Sequence, residues 1–174
     1  MHKGDIDIQD SDGSTPLHIA CMNDEEDAPE HIQALYDHRA CMQATDTVGN
    51  SPLHVAVQCH AHAATEKLLS LHAQVDAQDF YGHTPLHDAA AVGNLYGITL
   101  LLQHGARSDI LTDNQLTAYD IAQQNGHVDA ANMLVNTQAE RRYILALDDA
   151  IPKNPLLDRH ISRYGTNIIE KLFY

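Results

Sequence analysis

The letters STPLHIA at residues 14–20 return as NSPLHVA at 50–56 and HTPLHDA at 83–89. From Thr15 to Ser51 is 36 residues, from Ser51 to Thr84 is 33, and from Thr84 to Thr117 is 33 again, where a fourth copy reads LTAYDIAQQNGH. Self-similarity at that pitch confines the chain to architectures in which one small unit stacks on copies of itself. Other columns keep the step. Asp10, Asp46 and Asp79 precede Gly13, Gly49 and Gly82 by three residues, Ala20, Ala56, Ala89 and Ala122 follow the motif, and Leu35, Leu68, Leu101 and Leu134 fall later in each copy.

Each column has a mechanical reason. Asp-x-x-Gly is a tight turn in which glycine takes positive φ, so the chain reverses sharply. Thr or Ser before Pro starts a helix: the hydroxyl caps free N–H groups, and Pro at the first helical position gives up no needed donor. The leucine points inward, the alanine lets neighbouring units approach closely, and ITLLL at 98–102 supplies the apolar face of a second helix. A helix pair this small cannot bury both faces alone, so stacking is obligatory.

A 33-residue period carrying T-P-L-H resembles the ankyrin repeat family, over roughly residues 4–136. The resemblance implies an all-α solenoid of stacked helix-turn-helix units with β-turn or hairpin fingers. The end of a preceding repeat then spans residues 1–9, and repeats span 10–45, 46–78, 79–111 and 112–136. It also implies that His18, His54 and His87 belong to a hydrogen-bond network tying adjacent turns, rather than to catalysis or metal binding, since their recurrence at the repeat pitch accounts for all three. The fourth copy carries Asp120 instead, which argues against a shared row of metal ligands.

Irregularities interrupt the pattern. The first copy is longer, its excess lying in MNDEEDAPEHI, a lengthened surface loop. Arg39 and His72 stand in the column of Gly105, and a side chain in a left-handed conformation is costly, so those helices are expected to end differently. Gln115 replaces the turn glycine of the fourth copy. If Met1 is the natural start, the first helix pair leaves a stacking face open at Ile19, Cys21 and Met22; a trimmed chain accounts for this equally. Residues 137–174, with ERRYILALDDAI and NPLLDRHISRYGTNIIEKLF, read as a divergent fifth repeat or a helical C-terminal cap, the alternative being a partner-binding tail that folds on docking.

Charge narrows the partners. Ten Lys and Arg against 24 Asp and Glu repel phosphate backbones, so no nucleic acid is expected, and no apolar run is long enough to expect a membrane. The acids crowd the first 38 residues, where Asp5, Asp7, Asp10, Asp12, Asp24, Glu25, Glu26, Asp27, Glu30 and Asp37 face only Lys3. That is either a solvated face or a site for a basic partner segment. Cys21, Cys41 and Cys59 follow no disulfide spacing, so free thiols in a reducing compartment, cytoplasmic or nuclear, are expected.

With the scaffold columns committed to stacking, function falls to the fingertips and the positions after the alanine column, the concave side that the resemblance implies. These are Thr45, Thr47, Val48, Asn50, Gln58 and Cys59 in the second copy. The third copy offers Gln78, Phe80, Tyr81, His83, Ala91 and Val92, and the fourth Leu111, Asp113, Asn114, Leu116, Gln124 and Asn125. The expected partner-binding set is Val48, Asn50, Gln78, Phe80, Tyr81, His83, Val92, Asp113 and Asn114, led by Phe80 and Tyr81, because aromatic anchors dominate interface energetics. Tyr96 reads as packing near a second helix. Cys59, His60 and His62 have zinc-donor chemistry in no standard finger spacing, so an ordinary interhelical loop is the preferred reading and no metal or cofactor is expected. The leading function is a non-catalytic protein–protein interaction module. The alternative is an enzyme or enzyme-bearing fragment with chemistry in the C-terminal segment, and a third reading is a scaffold, adaptor or targeting part of a pathogen effector or regulator.

Overall fold

The computed structural model describes residues 6–22 and 27–135. The readings of the acidic insertion at 23–26 and of the divergent repeat or cap at 137–174 lie outside the described residues. The helices are α1 (Pro16–Ala20), α2 (Ala28–Asp37), α3 (Pro52–Gln58), α4 (His62–Ser70), α5 (Pro85–Ala91), α6 (Leu95–Gln103) and α7 (Ala118–Gln124), and residues 128–135 are also helical. The first helices α1, α3, α5 and α7 pack in one row, the second helices α2, α4 and α6 in another, and α1–α2, α3–α4 and α5–α6 pair within copies. No strand occurs among the described residues; the fingers are hydrogen-bonded turns.

The turns form as the Asp-x-x-Gly columns dictate. Asp46 Oδ1 accepts the N–H of Val48 at 3.0 Å and of Asn50 at 2.8 Å, while Gly49 at φ 93° donates its own N–H to the Asp46 carbonyl. Asp79 does the same for Tyr81 and His83. In the fourth copy Thr112 takes the acid's place, its Oγ1 accepting from the Leu116 N–H at 3.2 Å, and Gln115 adopts φ 61° where glycine stood before.

Helix ends correct an expectation. Arg39 (φ 68°) and His72 (φ 61°) terminate their helices as Gly105 (φ 89°) does, in the left-handed region. Each is followed by the same pair of bonds. Ala40, Ala73 and Ala106 donate to the carbonyls of Leu35, Leu68 and Leu101, and the left-handed residues donate to Tyr36, Leu69 and Leu102. That paired closure satisfies carbonyls otherwise orphaned at a helix end, and the close packing of the next alanine, which is buried at Ala40 and Ala106, holds the turn in place despite the side-chain strain.

Between the rows lies a continuous apolar core of Leu17, Leu53, Leu86, Leu68, Leu101 and Leu134, with Ala56, Ala89 and Ala122 fully buried at the helix crossings. Removing a buried leucine of this kind costs about 2–5 kcal/mol. In the first copy Ile19 is 49% exposed where its column mates Val55 and Ile121 are buried. Met22 is exposed there as expected. Cys21 is not, since it turns inward and is fully buried, which pushes its thiol up to about 12.

The motif histidines link copies. Each accepts at Nδ1 from the backbone N–H of its helix N-cap, at 3.1 Å from Thr15, Ser51 and Thr84. An Nδ1 that accepts carries no proton, so Nε2 bears it and donates onward. His18 Nε2 reaches the Asn50 carbonyl at 3.0 Å and His54 Nε2 the His83 carbonyl at 3.2 Å. Burial holds the pKa of His54 below the ordinary imidazole value, consistent with the neutral form. The series then weakens. His87 Nε2 is buried without a hydrogen-bond partner, although the Leu116 carbonyl, next in the acceptor column, is near enough to raise its pKa against the larger lowering by burial. Asp120 keeps only the local half of the arrangement, accepting from the Thr117 N–H at 2.8 Å and from its hydroxyl at 2.6 Å.

Candidate protein-binding face

The fingers are fixed to one another by a backbone rung at each step. Thr47 N–H donates to the Asp12 carbonyl at 3.0 Å, Phe80 N–H to Val48 at 3.1 Å, and Asp113 N–H to Tyr81 at 3.0 Å. Phe80 is therefore held at its own N–H and Tyr81 at its carbonyl, while their side chains are 66% and 58% exposed. The Phe80 ring lies over Gly49, where an added Cβ would fall 2.7 Å from its Cδ1. So Phe80 both touches the preceding finger and presents most of its surface to solvent. Val48 and Leu111, also exposed, extend the apolar tips on either side.

Several expected contact residues also brace the scaffold. Asn50 donates to Asp46 Oδ2 at 3.1 Å, and Gln78 Nε2 donates to the Gly82 carbonyl at 2.9 Å, as Gln9 does to Gly13. Asn125 donates to the Ala91 carbonyl at 2.9 Å. Asp113 and Asn114 stand exposed at the fourth fingertip, and Val92 is half-buried at the end of α5. On the second-helix side, the Tyr96 hydroxyl donates to Glu66 and its ring rests 4.6 Å from that of His62, a contact between copies.

Below the Phe80–Tyr81 tip lies a group that sequence reasoning passed over. Asp88, on α5, is 6% exposed. Its Oδ2 accepts from Gln58 Nε2 at 2.9 Å, and its Oδ1 lies 3.9 Å from His83 Nδ1. His83 Nδ1 is also 3.8 Å from Asp79 Oδ2, and the His83 ring stacks on that of His87 at 6.0 Å and faces Tyr81 at 6.4 Å. Burial raises the Asp88 carboxyl to about 7, against a lowering by its bond from Gln58 and a further rise from the Asp79 charge. The signal was available in the column Ile19, Val55, Asp88, Ile121, where one acid interrupts three aliphatics.

A family model described as ankyrin repeats, in three copies, matches residues 1–79 and 62–142. The chain belongs to the ankyrin repeat family. Among relatives it is similar to neurogenic locus notch homolog protein 1 of Xenopus laevis, at 34% identity over 119 residues, 68% of this chain and 5% of that protein. It is 36% identical to the human protein of that name over 119 residues, 68% of this chain and 4% of that one. It is 30% identical to the tyrosine-protein kinase Shark of Drosophila melanogaster over 132 residues, 75% of this chain and 14% of the kinase. The chain thus spans only a small part of the length of these relatives.

Ankyrin repeats generally mediate protein–protein interaction, and this array carries a row of hydrogen-bonded fingers with exposed side chains at their tips. Among the described residues no helix is long and apolar enough to cross a membrane.

Proposed function

We propose that this ankyrin array is a protein-binding module whose contacts come from the fingers and first helices of the second to fourth copies. The observation that carries the reading is the Phe80–Tyr81 tip: two large aromatics, 66% and 58% exposed, on a backbone already fixed by hydrogen bonds to both neighbouring fingers. Exposed aromatics on a preorganised backbone bind with little ordering cost, because nothing but side-chain rotamers remains to be fixed. The partner is a protein, in keeping with the net charge of −14, which repels nucleic acid. The free thiols suit work in a reducing compartment, cytoplasm or nucleus, and an adaptor role follows if the partner is itself held in an assembly.

Affinity capture with mass spectrometry tests this, comparing the native chain with the double variant Phe80→Ala, Tyr81→Ala. Captured partners are expected to be lost on the variant while its thermal unfolding stays within about 1 kcal/mol of the native chain, as for exposed positions. Capture that survives the double substitution removes the assigned face.

A further inference from the structure

We propose that the face holds a cationic side chain of its partner, Lys or Arg, against Asp88, with the Phe80–Tyr81 tip covering the apolar stem and neighbours of that cation. This rests on the finger-face reading above and adds the chemistry of what binds there.

Four observations converge on Asp88. First, the repeat itself asks for an aliphatic residue at this column, and Ile19, Val55 and Ile121 supply it in the other copies. Second, the acid is 6% exposed yet incompletely partnered: Oδ2 accepts one bond from Gln58, and Oδ1 has only the His83 ring, at 3.9 Å, too far for a hydrogen bond. Third, no Lys or Arg of the described residues compensates it, and His83 Nδ1, 3.9 Å from Oδ1, does so only when protonated. Arg39, Lys67 and Arg107 are the Lys and Arg of those residues, and none forms an ion pair with Asp88; Arg107 pairs with Asp109 at 3.1 Å. Asp79, 6% exposed at its side chain and also beside His83, adds a second carboxylate on the same side. Fourth, an exposed aromatic lies close by: the Tyr81 ring is 6.4 Å from that of His83 and tilted by 45° to it.

A carboxylate so buried is costly unless paired, and burial has raised its pKa accordingly. A residue that breaks the local rule of its own repeat at a cost in stability marks a place where function is retained. An ammonium or guanidinium brought against Oδ1 would supply the charge partner that Gln58 does not, with its methylene stem along Tyr81, where aromatic faces also attract cations. The prevailing negative charge draws such a segment in.

The test starts from a displayed random-peptide library selected against the native chain, followed by affinity measurements on one synthetic selected peptide. Selected peptides are expected to share a Lys or Arg beside an apolar or aromatic residue. Asp88→Asn keeps the shape and the Gln58 contact, and is expected to weaken binding about tenfold or more. Replacing the peptide cation by norleucine should cost a similar factor on the native chain and little on Asp88→Asn, the signature of a direct pair. Thermal unfolding of Asp88→Asn confirms its fold. Selected peptides without a shared cation, or equal affinity for Asp88→Asn, would overturn the inference. If Phe80→Ala with Tyr81→Ala abolishes binding while Asp88→Asn does not, the finger face stands and the cation pairing fails. If both variants bind as the native chain does, or no peptide is enriched, both readings fall.

Discussion

The side chain that most departs from its repeat is Asp88, and its titration carries a definite sign. Burial raises the folded-state pKa from 3.8 to about 7, so between those values the folded chain holds a proton that the unfolded chain has released. The Asp88 contribution to stability is therefore greatest below about pH 4 and declines as pH rises toward 7, above which it is constant. The groups facing it are Gln58 from α3 and His83 from the third finger, with Asp79 beyond His83. Asp88→Asn is expected to unfold about 1–3 kcal/mol less readily at pH 8 than the native chain, with the difference shrinking as pH falls toward 4, read by denaturant titration across pH. A difference independent of pH would show that the carboxyl is not held in this environment. Residues that obey a column were legible in the sequence for that reason: Leu53, Leu86 and the motif histidines recur, and recurrence reports burial. Asp88 is not legible in that way, because a break in a column says nothing of burial until the neighbouring copies are in place.

At the scale of the element, the turn and the helix end carry most of the local strain. His72 holds φ 61° at the end of α4, a conformation that costs a side-chain-bearing residue about 1–2 kcal/mol, part of which glycine gives back through its freer unfolded state. His72→Gly is expected to raise the melting temperature by about 2–4 °C. Gly49 is the reverse case. At φ 93°, with an added Cβ only 2.6 Å from the Phe80 backbone nitrogen, Gly49→Ala should cost about 1–3 kcal/mol and displace Phe80, so chemical denaturation and partner capture should fall together. The sequence expectation that Arg39 and His72 mark different helix ends did not hold because tertiary packing overrides propensity: the paired bonds from Ala40 and Ala73 are available only if the residue before them turns left-handed. Likewise the fourth finger, irregular in its letters, keeps its turn through Thr112 and its rung through Asp113.

Across the whole array, stability is a sum of units and nearest-neighbour contacts. The histidine links from His18 and His54 tie the first three copies, whereas His87 Nε2 is left without a hydrogen-bond partner and Asp120 bonds only within its own helix start. The stack and its period could be read from letters, but the strength of each step could not, since a hydrogen bond to a backbone carbonyl leaves no residue type to recognise. The division of labour follows from the same geometry: second helices and alanine crossings hold the copies together, and the bonded fingers present Val48, Phe80, Tyr81, Asp113 and Asn114 outward. Hydrogen–deuterium exchange of the chain with and without a captured partner tests that division directly. Protection is expected at the fingers of the second to fourth copies and along α5, with α2, α4 and α6 unchanged; protection confined to those second helices would contradict the account.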